Sequence, residues 1–169
     1  YNDGQWETTA ELTGVRALNE SLIAAENGVF RLDGTHLGLP GARDVDEAGT
    51  PLAATDDGLY YLGNGWLRAV EVDAGPFHVV ASHATDGRAH AAGDRLYERR
   101  TSQGGSDRIS GTQSESSPGE KTGADADWSP IDVSGMVVGI THTNTTYAVT
   151  AKGILWAYDP SESTWREHI

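Results

Sequence analysis

Three features of the sequence predict an all-β fold made of repeated four-stranded units. One phrase recurs at 22–32, 52–62, 91–99 and 147–158. Each copy has a small or apolar strand, a polar turn and a second, alternating strand, which is the pattern of a β-hairpin. An aromatic residue or histidine follows each hairpin. No stretch of useful length has helical periodicity, because glycine or proline interrupts every candidate.

The order of elements within a unit follows from what flanks the hairpin. A short run precedes each hairpin and is interpreted as the innermost strand: 14–18, 42–45, 77–81 and 136–140. The residue that follows each hairpin marks the outermost strand: His36, Trp66, Trp128 and Trp165. These landmarks place the units at about 7–39, 40–70, 71–133 and 134–169. The third unit is longer because it contains 101–127, a polar stretch that predicts a mobile insertion.

Repeated units of four short antiparallel strands are typical of the blades of a β-propeller. A sandwich or an up-and-down barrel is the alternative, but neither requires one unit to resemble the next. We therefore predict an all-β β-propeller with four blades. The residues around Trp6 then form an orphan outer strand. For this reason we expect the chain to be part of a larger ring, with a complete four-bladed ring as the alternative.

The charge balance limits the partners that the chain can have. Its 169 residues carry a formal net charge of −13, no cysteine, and only Lys121 and Lys152 as lysines. Such a surface is a poor match for nucleic acid, which needs a basic patch, and no stretch is apolar enough to span a membrane. Without cysteine there is no disulfide or thiolate metal site. The composition resembles the cytoplasmic proteins of salt-accumulating archaea, and it predicts a halophilic, cytoplasmic protein.

Candidate ligand-binding residues lie on or beside the predicted inner strands, which line the channel of a propeller. They are Arg16, Arg43, Asp44 and His78. Arg16 and Arg43 occupy similar places in successive repeats, so together they could form an anion or carboxylate site. Alternatively, Arg43 pairs with Asp44 or Asp46 in a channel salt bridge. The histidines of the third repeat are interpreted as surface or turn residues, and neither a metal site nor a cofactor is predicted.

The fourth repeat carries a resemblance to known propellers. The run from Thr150 to Pro160, followed by Trp165, is similar to regulator-type blade repeats written T-x-x-G-L-x-x-Y-D-P-x-x-x-x-W. The turn Asp56-Asp57-Gly58 is also similar to the Asp-box of sialidases, although it lacks the closing Thr-Trp. Together with the acidic composition, the whole chain looks like part of a haloarchaeal β-propeller family. This resemblance implies a fold and no chemistry.

The function that follows is a non-enzymatic scaffold or binding module whose partner is a protein or a small ligand. No catalytic residue is predicted, because no phosphate loop and no nucleophile elbow is present. The alternative is a propeller hydrolase of the sialidase, lactonase or glycosidase kind. Such an enzyme needs carboxylates or histidines converging at the mouth of the channel.

Overall fold

The computed structural model describes residues 11–69, 75–84, 87–100 and 128–168. The predicted strand around Trp6 and the predicted insertion 101–127 lie outside the described residues. The described residues contain sixteen strands and no helix. Blade 1 comprises β1 (Val15–Asn19), β2 (Leu22–Ala25), β3 (Gly28–Arg31) and β4 (His36–Gly38); blade 2 comprises β5 (Ala42–Asp46), β6 (Leu52–Thr55), β7 (Gly58–Leu62) and β8 (Trp66–Arg68); blade 3 comprises β9 (Val79–Ser82), β10 (Ala89–Ala92), β11 (Leu96–Arg99) and β12 (Trp128–Ile131); blade 4 comprises β13 (Val137–His142), β14 (Thr146–Thr150), β15 (Leu155–Asp159) and β16 (Thr164–Glu167).

Each blade is a meander in which consecutive strands pair antiparallel. The hairpin between the two middle strands fixes the register, and glycine makes its turn possible in blades 1 and 2. Gly28 has a φ of 144°, and a Cβ atom there would lie 2.5 Å from the carbonyl oxygen of Gly38. Only glycine tolerates that combination. The four sheets confirm the predicted all-β fold of four-stranded antiparallel blades.

The core consists of three layers, each between consecutive blades. Successive side chains of a strand point to opposite faces of a blade, so Leu52 and Ala54 pack in the layer toward blade 3 and Ala53 packs in the layer toward blade 1. The layer between blades 1 and 2 includes Leu22, Val29 and Val45. The layer between blades 2 and 3 includes Leu52, Leu59, Phe77 and Trp128, and the layer between blades 3 and 4 includes Ala92, Leu96, Val137 and Ala148.

Three tryptophans confirm the alignment of the repeats. Each lies at or next to the start of its outer strand. There it pairs with a residue near the end of the third strand of its blade: Trp66 with Leu62, Trp128 with Arg99, and Trp165 with Tyr158. Each indole packs toward the preceding blade: Trp66 donates to the carbonyl oxygen of Leu37 (3.0 Å), Trp128 donates to the hydroxyl of Tyr61 (2.8 Å), and Trp165 contacts the ring of His90 (5.4 Å between centroids).

Within the described part of the chain there is no helix with the length and apolar character needed to cross a membrane.

Candidate functional site

The four sequence-predicted site residues do not converge. Arg43 forms an exposed ion pair with Asp56, and the expected salt bridge to Asp44 or Asp46 is wrong. Asp56 lies in the hairpin turn of the same blade, where it can reach the guanidinium, whereas Asp44 points into the interface with blade 3. Arg16 donates to the carbonyl oxygen of Ala42 at 3.3 Å.

Asp44 and His78 also connect a blade to its neighbour. The Asp44 carboxylate accepts hydrogen bonds from the amides of Val80 (2.9 Å) and Val45 (3.0 Å). Burial raises the pKa of Asp44 to about 6, against the lowering effect of those two amides. His78 Nε2 lies 3.1 Å from the carbonyl oxygen of Val137 in blade 4 and donates to it. Three of the four predicted residues are therefore links between blades.

A central cavity lies where the four inner strands end. It has a volume of about 220 Å³ and receives side chains from every blade: Asn19, Glu20, Asp46, Ala48, Ala81, Ser82, Ile140, Thr141 and His142. Asp46 is only 8% exposed, and its Oδ1 accepts from the amide of Ala48 (2.8 Å) and the hydroxyl of Ser82 (2.7 Å). The central cavity is thus acidic and partly ordered by side chains that bridge blades 2 and 3.

A lateral cavity of about 120 Å³ lies between blades 3 and 4, and His142 lines it as well as the central cavity. Its lining consists of His83, Arg88, His142, Thr143, Asn144, Thr145, Thr146, Tyr158 and Pro160. The guanidinium of Arg88 lies over the ring of Tyr158, 4.6 Å from its centroid, which is a cation–π contact. No acidic side chain lines this cavity among the residues that the structure describes.

A chain of polar side chains lies behind His142. Its Nδ1 is 2.8 Å from the Thr146 hydroxyl, and its Nε2 is 3.4 Å from Nδ1 of His90. His90 Nε2 in turn lies 3.8 Å from a carboxylate oxygen of Glu98. The interpretation of His90 as a surface or turn residue is wrong, because its side chain is completely buried. Burial, reinforced by the nearby His142 and by Arg88 and Arg100, holds the pKa of His90 well below its ordinary value, so the ring is neutral at pH 7.

Comparison with the other blades shows how unusual His90 and Glu98 are. In the strand register, His90 takes the place that Leu22 and Leu52 fill in blades 1 and 2, and Glu98 takes the place of Tyr61. The sequence hid this replacement, because an alignment of the copies on their turns puts Ala89 opposite the two leucines. The turn of blade 3 has three residues between its paired ends where the turns of blades 1 and 2 have two, and only the strand pairing shows this. Among the described residues, the buried side-chain atoms without a hydrogen-bond partner are His90 Nε2, Glu98 Oε1, Arg99 Nε, Trp156 Nε1 and Trp165 Nε1. All but that of Arg99 belong to the interface between blades 3 and 4.

In the ranges that the structure describes, no group of three or more histidine, aspartate or glutamate side chains is arranged to hold a metal ion.

The comparison with known families agrees with the blade architecture. A family model described as "HVO_0234-like, beta propeller" matches residues 1–169. The chain belongs to this β-propeller family. No curated protein sequence matches the chain. Membership in the HVO_0234-like family fixes the fold, and the function has to be argued from the site.

Proposed function

We propose that the chain is a binding module, and that the two cavities joined by His142 hold a small ligand. The observation that carries this proposal is the replacement of a core leucine and a core tyrosine by His90 and Glu98 directly behind His142. In the layer between blades 2 and 3 these places hold the buried Leu52 and Tyr61, whose hydroxyl accepts from the Trp128 indole, and Leu22 holds the first of them in the layer between blades 1 and 2. The layer between blades 3 and 4, which adjoins the lateral cavity, holds two buried polar side chains there instead.

This replacement costs stability. Burying a polar group without a hydrogen bond costs about 1–3 kcal/mol in protein mutational data, and His90 Nε2 and Glu98 Oε1 are both buried without one. A buried histidine whose pKa is lowered by burial beside a cavity is typical of functional sites. The polar chain also fixes the orientation of His142, because Thr146 and His90 lie close to its two ring nitrogens. A preoriented side chain at a cavity wall favours ligand binding.

The test is a calorimetric screen of small charged and polar compounds against the wild-type chain, repeated with His142→Gln. His36→Gln is the matched control, because His36 is exposed in blade 1 and stacks on Phe30 away from both cavities. We expect at least one compound whose affinity falls about tenfold or more in His142→Gln and is unchanged in His36→Gln. Compounds that bind equally well to both variants contradict a site at His142.

A hydrolase is the second candidate, and one observation favours it. The central cavity brings Glu20, Asp46 and His142 to the ends of the inner strands, and these are the group types that hydrolysis at a channel mouth requires. The test measures turnover of chromogenic esters, lactones and glycosides by the wild-type chain and by Glu20→Gln, since Glu20 is exposed and its replacement leaves the core intact. Turnover that Glu20→Gln abolishes supports the enzyme. Absence of turnover with all three substrate classes argues for the binding module.

We also propose that the protein works at high salt in the cytoplasm of a halophilic archaeon. The support is compositional, since aspartate and glutamate number 25 against 12 lysines and arginines. The salt dependence of its stability, described below, tests the halophilic part of this proposal.

A further inference from the structure

We propose that Glu98 is a positioning residue for His142: acting through His90, it fixes which ring nitrogen of His142 donates a hydrogen bond and which one accepts. This inference rests on the proposed binding function, because it concerns how the binding site at His142 is set. Glu98 is 1% exposed and does not belong to the described lining of either cavity. Its effect on a bound ligand therefore has to pass through a second side chain.

The carboxylate of Glu98 is held by arginine. Arg100 donates to Glu98 Oε2 from Nε at 2.8 Å and from NH2 at 2.7 Å, and this contact raises the pKa of Arg100. Nε of Arg88 lies 3.6 Å from the other oxygen, Oε1. Hydrogen bonds from a guanidinium stabilise the ionised form of a carboxylate. Glu98 therefore presents a negatively charged oxygen, Oε1, 3.8 Å from His90 Nε2.

That oxygen decides where the neutral ring of His90 carries its one proton. With the proton on Nε2, an N–H dipole points toward the carboxylate. With the proton on Nδ1, a nitrogen lone pair faces a negative oxygen 3.8 Å away, and burial of both side chains leaves this repulsion weakly screened. A protonated Glu98 does not rescue the second arrangement, because 3.8 Å is too long for its carboxyl group to donate to Nε2. His90 is therefore the tautomer with its proton on Nε2.

This tautomer of His90 sets the state of His142. The unprotonated Nδ1 of His90 lies 3.4 Å from His142 Nε2, so His142 has to donate from Nε2 whether its own ring is neutral or protonated. The other nitrogen, Nδ1, lies 2.8 Å from the Thr146 hydroxyl and accepts from it when the ring is neutral. Nδ1 of His142 and the hydroxyl of Thr146 are thus the pair that can respond to a ligand, and both residues line the lateral cavity.

Nuclear magnetic resonance measures the tautomers directly, because protonated and unprotonated ring nitrogens of histidine differ in chemical shift. Long-range proton–nitrogen correlation spectra are recorded on the isotopically labelled full chain at pH 7.5, and His90→Gln and His142→Gln assign the two rings. In the wild type we expect His90 with its proton on Nε2 and His142 with a proton on Nε2. A His90 ring protonated on Nδ1, or on both nitrogens, overturns the inference.

The decisive variant is Glu98→Gln, which keeps the shape of the side chain and removes its charge. Arg100 offers only donors, so it selects the amide oxygen and leaves the NH2 group to face His90 Nε2. Because that group donates, the proton of His90 is expected to move to Nδ1, and His142 Nε2 is expected to become an acceptor. If Glu98 serves only to pack the interface, both tautomers stay as in the wild type, and that result contradicts the inference.

The matched control is Glu162→Gln, which removes an exposed carboxylate paired with Arg166 in blade 4 and is expected to leave both tautomers unchanged. A switch in the control would mean a nonspecific effect of charge and would also contradict the inference. Circular dichroism must show that each variant is folded; if Glu98→Gln is not, the wild-type spectrum alone decides. The spectra need no ligand, so the two proposals can fail separately. A compound that depends on His142 while Glu98→Gln keeps the wild-type tautomers supports the binding function and overturns the role of Glu98, and switched tautomers without any bound compound mean the reverse.

Discussion

The interfaces between blades 2 and 3 and between blades 3 and 4 use the same positions of the repeat and fill them differently. In the first, Leu52 is completely buried and the Trp128 indole donates to the Tyr61 hydroxyl. In the second, His90 replaces the leucine and Glu98 replaces the tyrosine, while the Trp165 indole and Glu98 Oε1 lack hydrogen-bond partners. The repeat determines where a side chain lies, and at the same two places one interface holds apolar or hydrogen-bonded groups while the other holds buried polar atoms without partners.

The largest expected effect concerns the apolar interface. Trp128→Ala should lower the free energy of unfolding by about 3–5 kcal/mol, because it removes a nearly buried indole and leaves the Tyr61 hydroxyl without its partner. Trp165→Ala should cost less, because its ring is partly exposed and its Nε1 makes no hydrogen bond to lose. Urea denaturation of both variants measures the difference. A greater loss for Trp165→Ala would break the comparison between the two interfaces.

Restoring the leucine of the repeat should stabilise the polar interface. His90→Leu is expected to raise the free energy of unfolding by about 1–2 kcal/mol at pH 7.5, since it removes an unpartnered buried nitrogen. The gain should grow at pH 5. The folded pKa of His90 is depressed, so the unfolded chain takes up a proton below pH 6.5 that the folded chain does not, and the wild type loses stability as the pH falls.

The reverse change, Leu52→His, is the control for this prediction. It buries a histidine in the apolar interface and should destabilise the protein. If His90→Leu destabilised it instead, the polar chain behind His142 would be a structural network rather than a cost accepted for function.

The buried carboxylate of Asp44 should affect stability at the interface between blades 2 and 3 in a pH-dependent way. Its folded pKa of about 6 lies above the ordinary 3.8, so folding buries an ionised group above pH 6, and stability from this group is regained as the pH falls from 6 toward 4. Asp44→Asn should therefore raise the free energy of unfolding by about 1–2 kcal/mol at pH 7.5, allowing for one weakened amide hydrogen bond. The advantage should vanish near pH 4. Asp56→Asn, at an exposed ion pair, should change stability by less than about 0.5 kcal/mol.

Salt should act on the whole acidic surface. Raising KCl from about 0.05 M to about 2 M shortens the Debye length from about 14 Å to about 2 Å and screens the repulsion among like charges. The thermal midpoint is expected to rise by several degrees, because exposed ion pairs offset little of that repulsion. Differential scanning calorimetry over this range measures it. A midpoint that is flat or falls would contradict the halophilic interpretation.

The fold could be predicted from the sequence because the hairpin phrase repeats. The alternation of apolar residues predicts the strands, and the spacing of the tryptophans predicts how the repeats align with one another. The site could not be predicted in the same way, because a cavity depends on where strands from different blades end. The similar places of Arg16 and Arg43 on the inner strands predict a shared anion site, yet Arg16 donates to a backbone carbonyl and Arg43 pairs with a carboxylate of its own blade. The stacking of blades 3 and 4 brings His142 and Arg88 to one cavity, and no local sequence pattern indicates that.

The links on the inner strands have a consequence for how such a chain can change in evolution. Arg16, Asp44 and His78 each reach from one blade to a backbone group of the next, at Ala42, Val80 and Val137. Every blade offers backbone amides and carbonyls whatever its side chains are. A gene duplication that inserts a blade, or a deletion that removes one, therefore presents each link with a new neighbour of the same kind, and no second substitution is needed to accept it. The number of blades can therefore change without disturbing the contacts between the blades that remain.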